Sequence, residues 1–417
     1  MGNAVESDGR TASRLTLLTS YFPFGVDPEF LGTEIYALAD AFDTVTVVPM
    51  IPQASTPWPL PPNVSVDLTL AERLTPRVPR MPEHARRDLR RLLALATPKA
   101  LRSMRNQGRL GSGREWWPRL AMDSADFATI RRWARTRVAP DIAYTFWLGP
   151  QTAALADAWP SVPVVTRAHR GDLYAQPAGF DVLPFQNEGL KRAALIAVIS
   201  DDAARYVGEH FPAELDKVAV HRLGTAEPGA AAPRSTDGVT RVWSVSSISP
   251  VKRVQLIAEA VMLLGQRLQG PVHWTHLGDG ALRHEVEAVV AQAGPNLTVD
   301  LPGMLPHPEV LQLLTRGPAD VFVNASSSEG VPVSLMEARS LGIPVVATDV
   351  GGAAEVVNAT TDILVPADSD AMALCAAMEQ ALELPRDLAA TRVSDWRSRY
   401  WDTTNYERLT AALLALT

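Results

Sequence analysis

Glu329 and Glu337 stand eight positions apart within Ser-Ser-Ser-Glu-Gly-Val-Pro-Val-Ser-Leu-Met-Glu-Ala (326–338). Carboxylates accept hydrogen bonds from hydroxyls, and this spacing sets one at a loop and the other one turn into a helix. Upstream, Ala-Asp-Val-Phe-Val-Asn (319–324) is a short apolar, β-branched run that predicts a buried strand. Downstream, Met336 to Leu341 predicts a helix, with Pro332 placed in its first turn. The N–H groups of Gly330, Val331, Val333 and Ser334 then fall at a helix N-terminus, where a phosphate is favoured. Such a pocket suits a ligand with phosphate at its centre and hydroxyls at both ends.

Two glutamates at this distance also arise as a solvated loop residue and a helix-surface residue. The flanking chain argues against that simpler explanation. Gly-Ile-Pro-Val-Val-Ala-Thr-Asp-Val-Gly-Gly-Ala-Ala-Glu-Val-Val (342–357) predicts a second buried strand, then a Gly-Gly turn leading into a helix. Strand, loop, helix, strand and glycine turn in succession form half of a nucleotide-binding domain. A nucleotide-sugar has the outline the pocket requires.

With these segments in place, the chain resembles the retaining glycosyltransferases of the family 4 type, in particular those of bacterial polysaccharide biosynthesis. The resemblance implies the GT-B architecture: α/β, with two Rossmann-like doubly wound domains facing a central cleft and a C-terminal helix returning to the first domain. It also implies transfer of a sugar from a nucleotide diphosphate sugar to a hydroxyl acceptor. Polysaccharide or glycolipid assembly is the first expectation, and secondary-metabolite glycosylation is an alternative. A nucleotide-sugar epimerase and a non-catalytic nucleotide-sugar binder remain as rivals of a different class.

The likeness extends to single residues. Lys252, in Ser-Ser-Ile-Ser-Pro-Val-Lys-Arg-Val (246–254), corresponds to the lysine that meets the donor phosphate. Many relatives carry an arginine five residues earlier, where this chain has Ser247; Arg253 or another basic residue is expected to compensate. His169, in Arg-Ala-His-Arg-Gly-Asp-Leu-Tyr (167–174), matches a histidine that faces the donor sugar, although lone histidines are often structural. Glu329 is expected at the sugar hydroxyls and Glu337 at the ribose. Gly25, in the loop after the first strand, would let the backbone approach the donor phosphate. Gly303 and Met304 occupy the stretch where relatives hold the base.

Acceptor contacts are expected from Glu29 and Glu34, read as exposed, and from Tyr144, Trp147, Arg170 and Asp172. Helix-start electrostatics is the simpler account of the two glutamates. Packing is the simpler account of Tyr144 and Trp147. His-Leu-Gly-Asp-Gly (276–280) reads as a plain turn. Asp368-Ser-Asp370 resembles a metal-chelating triplet of another glycosyltransferase architecture, but it precedes an apolar helix at 371–384 and capping explains it. No metal and no cofactor beyond the nucleotide-sugar are expected.

The elements that position these residues are legible as alternating strands and helices. Buried strands are predicted at 15–19, 45–48, 142–145, 162–166 and 195–199, and again at 242–245, 272–277, 297–301, 321–324 and 345–348. A chain of 417 residues exceeds one core. The division expected is a first domain over 1–225, a Pro/Gly-rich linker at 226–238, a second domain over 239–395, and a final helix at 396–417.

A net charge of −7 does not suggest wholesale nucleic-acid binding. Residues 86–119 nevertheless hold ten Arg and Lys against Asp88 and Glu115, interleaved with leucines. The stretch is either a solvated insertion or a contact with an anionic membrane or lipid-phosphate acceptor. One cysteine, Cys375, excludes an internal disulfide and is expected in packing. Residues 1–14 are too polar for a signal peptide, and Glu6 stands where myristoylation needs Ser or Thr. No run reaches the roughly 20 apolar residues of a spanning helix. The expected location is cytoplasmic, with peripheral membrane contact at most.

Overall fold

A computed structural model describes residues 13–25, 31–51, 56–74, 116–174 and 183–417. Two compact units are present. The first comprises Met1–Val198, Ala204–His221 and Tyr406–Thr417; the second comprises Ile199–Ala203 and Arg222–Asn405.

The first unit is built on a seven-stranded parallel sheet in the order β3-β2-β1-β4-β5-β6-β7. Its strands are β1 (Arg14–Thr19), β2 (Thr44–Pro49), β3 (Val64–Val66), β4 (Ile142–Thr145), β5 (Val164–Ala168), β6 (Leu195–Val198) and β7 (Val218–Val220). The second unit carries a six-stranded parallel sheet in the order β10-β9-β8-β11-β12-β13. These strands are β8 (Thr240–Val245), β9 (Val272–Leu277), β10 (Leu297–Gly303), β11 (Val321–Asn324), β12 (Val345–Thr348) and β13 (Ile363–Val365). Both orders are doubly wound, so the expected α/β class with two Rossmann-like units is what the chain adopts.

Strand composition follows position in the sheet. Every residue of β11 and β12 is buried, as central parallel strands require. Edge strand β10 instead alternates half-buried and exposed residues along its length. The helices Val254–Arg267 and Ala371–Glu383 close one core of the second unit, which includes Trp274, Val286 and Cys375. Cys375 is fully buried, and burial pushes its thiol up.

Residues 226–238, read from sequence as a linker, run along the second unit. The Ala232 N–H donates to the Leu341 carbonyl at 3.0 Å, and the Ser235 N–H to Asp320 Oδ1 at 3.1 Å. The C-terminal segment differs from the single helix expected over 396–417. It is two helices, Leu388–Tyr400 and Asp402–Leu414, broken at Trp401, which pairs with Thr225. Trp396 is fully buried and donates to Thr225 Oγ1 within the second unit. Leu409 and Leu413 join Leu15, Ile35 and Tyr144 in a core of the first unit.

Candidate functional site

In the second sheet the strand order reverses between the parallel neighbours β8 and β11, the switch point at whose carboxyl ends open α/β sheets place their ligands. Lys252 follows β8 and Glu329 follows β11. Lys252 Nζ donates to Glu329 Oε1 at 2.6 Å, and Asn324 Nδ2 reaches the same oxygen at 3.3 Å. Glu329 is 8% exposed, whereas the lysine side chain is about a quarter open to solvent. A positive charge therefore sits at the mouth, held by a buried carboxylate.

The two loops are fastened to one another. The Ser327 N–H donates to the Val251 carbonyl at 2.7 Å. Arg253 adopts a left-handed backbone conformation and sends Nε to the Ala325 carbonyl at 2.6 Å and Nη2 to that of Ser326 at 3.2 Å. Burial pulls this guanidinium below its ordinary value. Arg253 thus clamps the two loops together. Ser247 is exposed, with its hydroxyl 3.4 Å from that of Ser249.

The Gly-Gly turn after β12 presses against the Glu329 loop. A Cβ on Gly351 would lie 2.1 Å from the Glu329 carbonyl oxygen, and its φ of 52° is one that side chains rarely tolerate. The Gly352 N–H donates to the Gly330 carbonyl at 2.7 Å. The turn at 276–280 is likewise a brace: the Ile248 N–H donates to the Asp279 carbonyl at 2.9 Å beside the lysine loop.

The helix Val333–Ser340 begins immediately beyond Pro332, its N-cap. The N–H groups of Gly330, Val331, Val333 and Ser334 donate to no acceptor among the described residues. Four free donors and a helix N-terminus thus lie on the chain just after Glu329, as an anion site needs. Glu337, the fifth residue of this helix, is 4% exposed and accepts from His307 Nε2 at 2.5 Å. His307 was not among the residues singled out from sequence. Gly303 has φ 89°, its carbonyl accepts from the Gly278 N–H at 3.0 Å, and Met304 beside it is 69% exposed.

In the first unit the corresponding reversal lies between β1 and β4. Gly25, with φ 107°, follows β1, and its carbonyl accepts from Trp58 Nε1 at 3.3 Å. His169 follows β5. Its imidazole packs on Phe146 and Trp147, with ring centroids 4.8 and 4.4 Å apart, and neither ring nitrogen has a hydrogen-bond partner. A buried imidazole left in this state is a candidate for a ligand's polar group. Asp172 accepts the His169 N–H at 2.6 Å and the Leu148 N–H at 2.7 Å, so its carboxylate orders the two loops. Arg170 is half-buried.

Two acceptor candidates are corrected. Glu34, expected to be exposed, is fully buried and pairs with the equally buried Arg167. Tyr144 is also buried and donates to Glu34 at 2.8 Å, so it packs rather than lining a surface. Burial first, and then Glu34, push the Tyr144 hydroxyl well up. Glu29 and residues 86–115 lie outside the described residues. Asp370 caps the helix Ala371–Glu383 by accepting the Ala373 N–H at 2.9 Å. Among the described residues no cluster of three or more His, Cys, Asp or Glu could hold a metal, and no helix is long and apolar enough to cross a membrane.

Residues 231–394 match the family described as glycosyl transferases group 1, so the second unit carries a domain of that kind. WcaL of Salmonella typhimurium, a protein named for colanic acid biosynthesis, is 27% identical over 266 residues, 61% of this chain. The amylovoran biosynthesis glycosyltransferase AmsK of Erwinia amylovora is 30% identical over 174 residues, 40% of this chain. The matches span 63% of WcaL and 41% of AmsK, less than two thirds of either protein. Among solved structures, the lipopolysaccharide outer core galactosyltransferase WaaB superposes with a TM-score of 0.68 at 12% identity, covering 97% of this chain and all of that one. HepE of Anabaena in complex with UDP gives 0.62 at 15% identity, covering 97% of this chain and all of HepE. The fold is therefore the GT-B fold of these glycosyltransferases.

Proposed function

We propose that this protein is a retaining, metal-independent glycosyltransferase of the family 4 type. It would transfer a sugar from a nucleotide diphosphate sugar to a hydroxyl acceptor in polysaccharide or glycolipid assembly. The observation that carries the reading is the Lys252–Glu329 contact at the β8/β11 crevice, next to four open N–H donors at the start of the helix Val333–Ser340. A diphosphate is the ligand that such a cation and helix end accommodate together.

In this reading the departing phosphate is stabilised by Lys252 and the N–H groups of residues 330–334. Leaving-group stabilisation is then the main catalytic contribution. The bond between the anomeric carbon and the phosphate oxygen breaks on the face from which the acceptor hydroxyl bonds. The hydroxyl proton passes to the departing phosphate oxygen. Glu329 would exchange part of its contact with Lys252 for sugar hydroxyls, and Glu337 would accept from the ribose. His169 supplies a buried polar group for a ligand bound to the first unit. The names of WcaL and AmsK support a polysaccharide acceptor, and the UDP held by HepE supports a nucleotide donor. The basic stretch 86–119 gives a reason to place the acceptor at an anionic membrane surface, with the protein on its cytoplasmic side.

The reading is tested with a panel of nucleotide-sugars. One donor should raise the melting temperature with the logarithm of its concentration. With that donor and a saccharide acceptor, NMR should show a product of unchanged anomeric configuration. Inversion would remove the retaining assignment, and epimerised donor without acceptor would favour the epimerase.

A further inference from the structure

We infer that His307 is a positioning residue that sets the orientation of the Glu337 carboxylate, and thereby the selectivity of the site for a nucleotide carrying a full ribose cis-diol. The inference rests on the reading of Glu337 as the ribose acceptor. His307 opens the helix His307–Arg316, on a different loop from either glutamate, and stands 30 residues before its partner. Its Nε2 lies 2.5 Å from Glu337 Oε1.

The two side chains are in unlike surroundings. Glu337 is almost wholly buried, whereas the His307 side chain is 44% exposed. Oε2 of Glu337 accepts none of the hydrogen bonds found among the described residues, and it is not among the buried polar atoms without a partner. The carboxylate thus has one oxygen held and the other within reach of solvent. A carboxylate oxygen has two acceptor positions, so Oε1 can keep His307 and still take one hydroxyl while Oε2 takes another. That is the pattern a cis-diol needs. Without His307 the carboxylate can rotate about its last torsion, which is broad and poorly defined on its own.

A positioning role of this kind differs from a packing role. The helix His307–Arg316 buries only Val310 and Leu314 of its ten residues. The imidazole side chain is 44% exposed, so truncating it removes only part of a buried contact. Loss of His307 should therefore be felt by the ribose and not by the fold.

The test compares His307→Ala and His307→Gln with the unaltered protein in calorimetric titrations. The titrants are the ribonucleoside diphosphate that binds most tightly among UDP, GDP and ADP, and its 2′-deoxy analogue. His307→Ala should weaken the ribonucleotide roughly tenfold, the scale of one hydrogen bond to a charged group. It should shrink the preference over the deoxy compound and raise the donor KM with little change in kcat. His307→Gln, which can offer an amide N–H in a similar place, should restore most of the affinity. Equal or tighter ribonucleotide binding by His307→Ala, at an unchanged melting temperature, overturns the inference. So does a loss that is the same for both nucleotides. Failure of every nucleoside diphosphate to bind the unaltered protein would instead overturn the donor-site reading.

Discussion

Lys252 Nζ and Glu329 Oε1 are 2.6 Å apart although 77 residues separate them along the chain. The lysine answers to β8 and the glutamate to β11, so their meeting depends on the crossover that makes these strands neighbours. Neither residue is placed by its own loop alone.

If the pair catches the leaving diphosphate, Lys252→Ala and Glu329→Ala should each lower kcat by at least about a hundredfold, the scale set by losing one electrostatic contact to a transition state. Far-ultraviolet circular dichroism should be unchanged. Near-native turnover in both variants would remove these residues from the site.

Gly351 and Gly352 offer a graded test of the wall behind Glu329. Gly351→Ala combines a disfavoured φ with a carbonyl 2.1 Å from the new methyl. It should cost about 2–3 kcal/mol of stability and displace Glu329. Gly352→Ala meets the Gly330 carbonyl at 2.2 Å, but its φ of −78° is ordinary. The second variant should lose less in urea titration while still impairing turnover. The opposite order of stabilities would mean that contact, not conformation, decides.

His276 should make the second unit acid-sensitive. Burial lowers its pKa from 6.5 to about 4, and its Nδ1 is held by Ser244 Oγ at 2.8 Å. The unfolded chain takes up the proton near pH 6.5, and the folded chain only near 4. The associated stability is present above pH 6.5 and is lost as pH falls toward 4, the loss amounting to about 3 kcal/mol at the acid end. Urea midpoints at pH 7 and 5 should differ more for the unaltered protein than for His276→Asn. Equal differences would show that carboxylates account for the acid loss.

Much of this was legible in the sequence because central parallel strands are continuous apolar runs. The ten strands so marked all form, with their ends displaced by a few residues at most. The three that were not marked, Val64–Val66, Val218–Val220 and Ile363–Val365, are three-residue strands at or near sheet edges, too short to carry a pattern. Lys252 and Glu329 were readable because each ends a strand in a recognisable motif. Glu34 was misjudged because its partner Arg167 lies 133 residues away, and nothing local distinguishes a carboxylate that will be paired inside from one left in water. His307 offered even less: Pro-His-Pro (306–308) is an ordinary helix start, and its link to Glu337 exists only after β10 and β11 have been arranged.

The first unit draws on three separate stretches of chain, and Leu409 and Leu413 are fully enclosed in its interior. During synthesis its sheet leaves the ribosome early, yet its interior cannot close until residues 406–417 arrive. Until then the apolar floor that those leucines will cover stays open to chaperones and to other nascent chains.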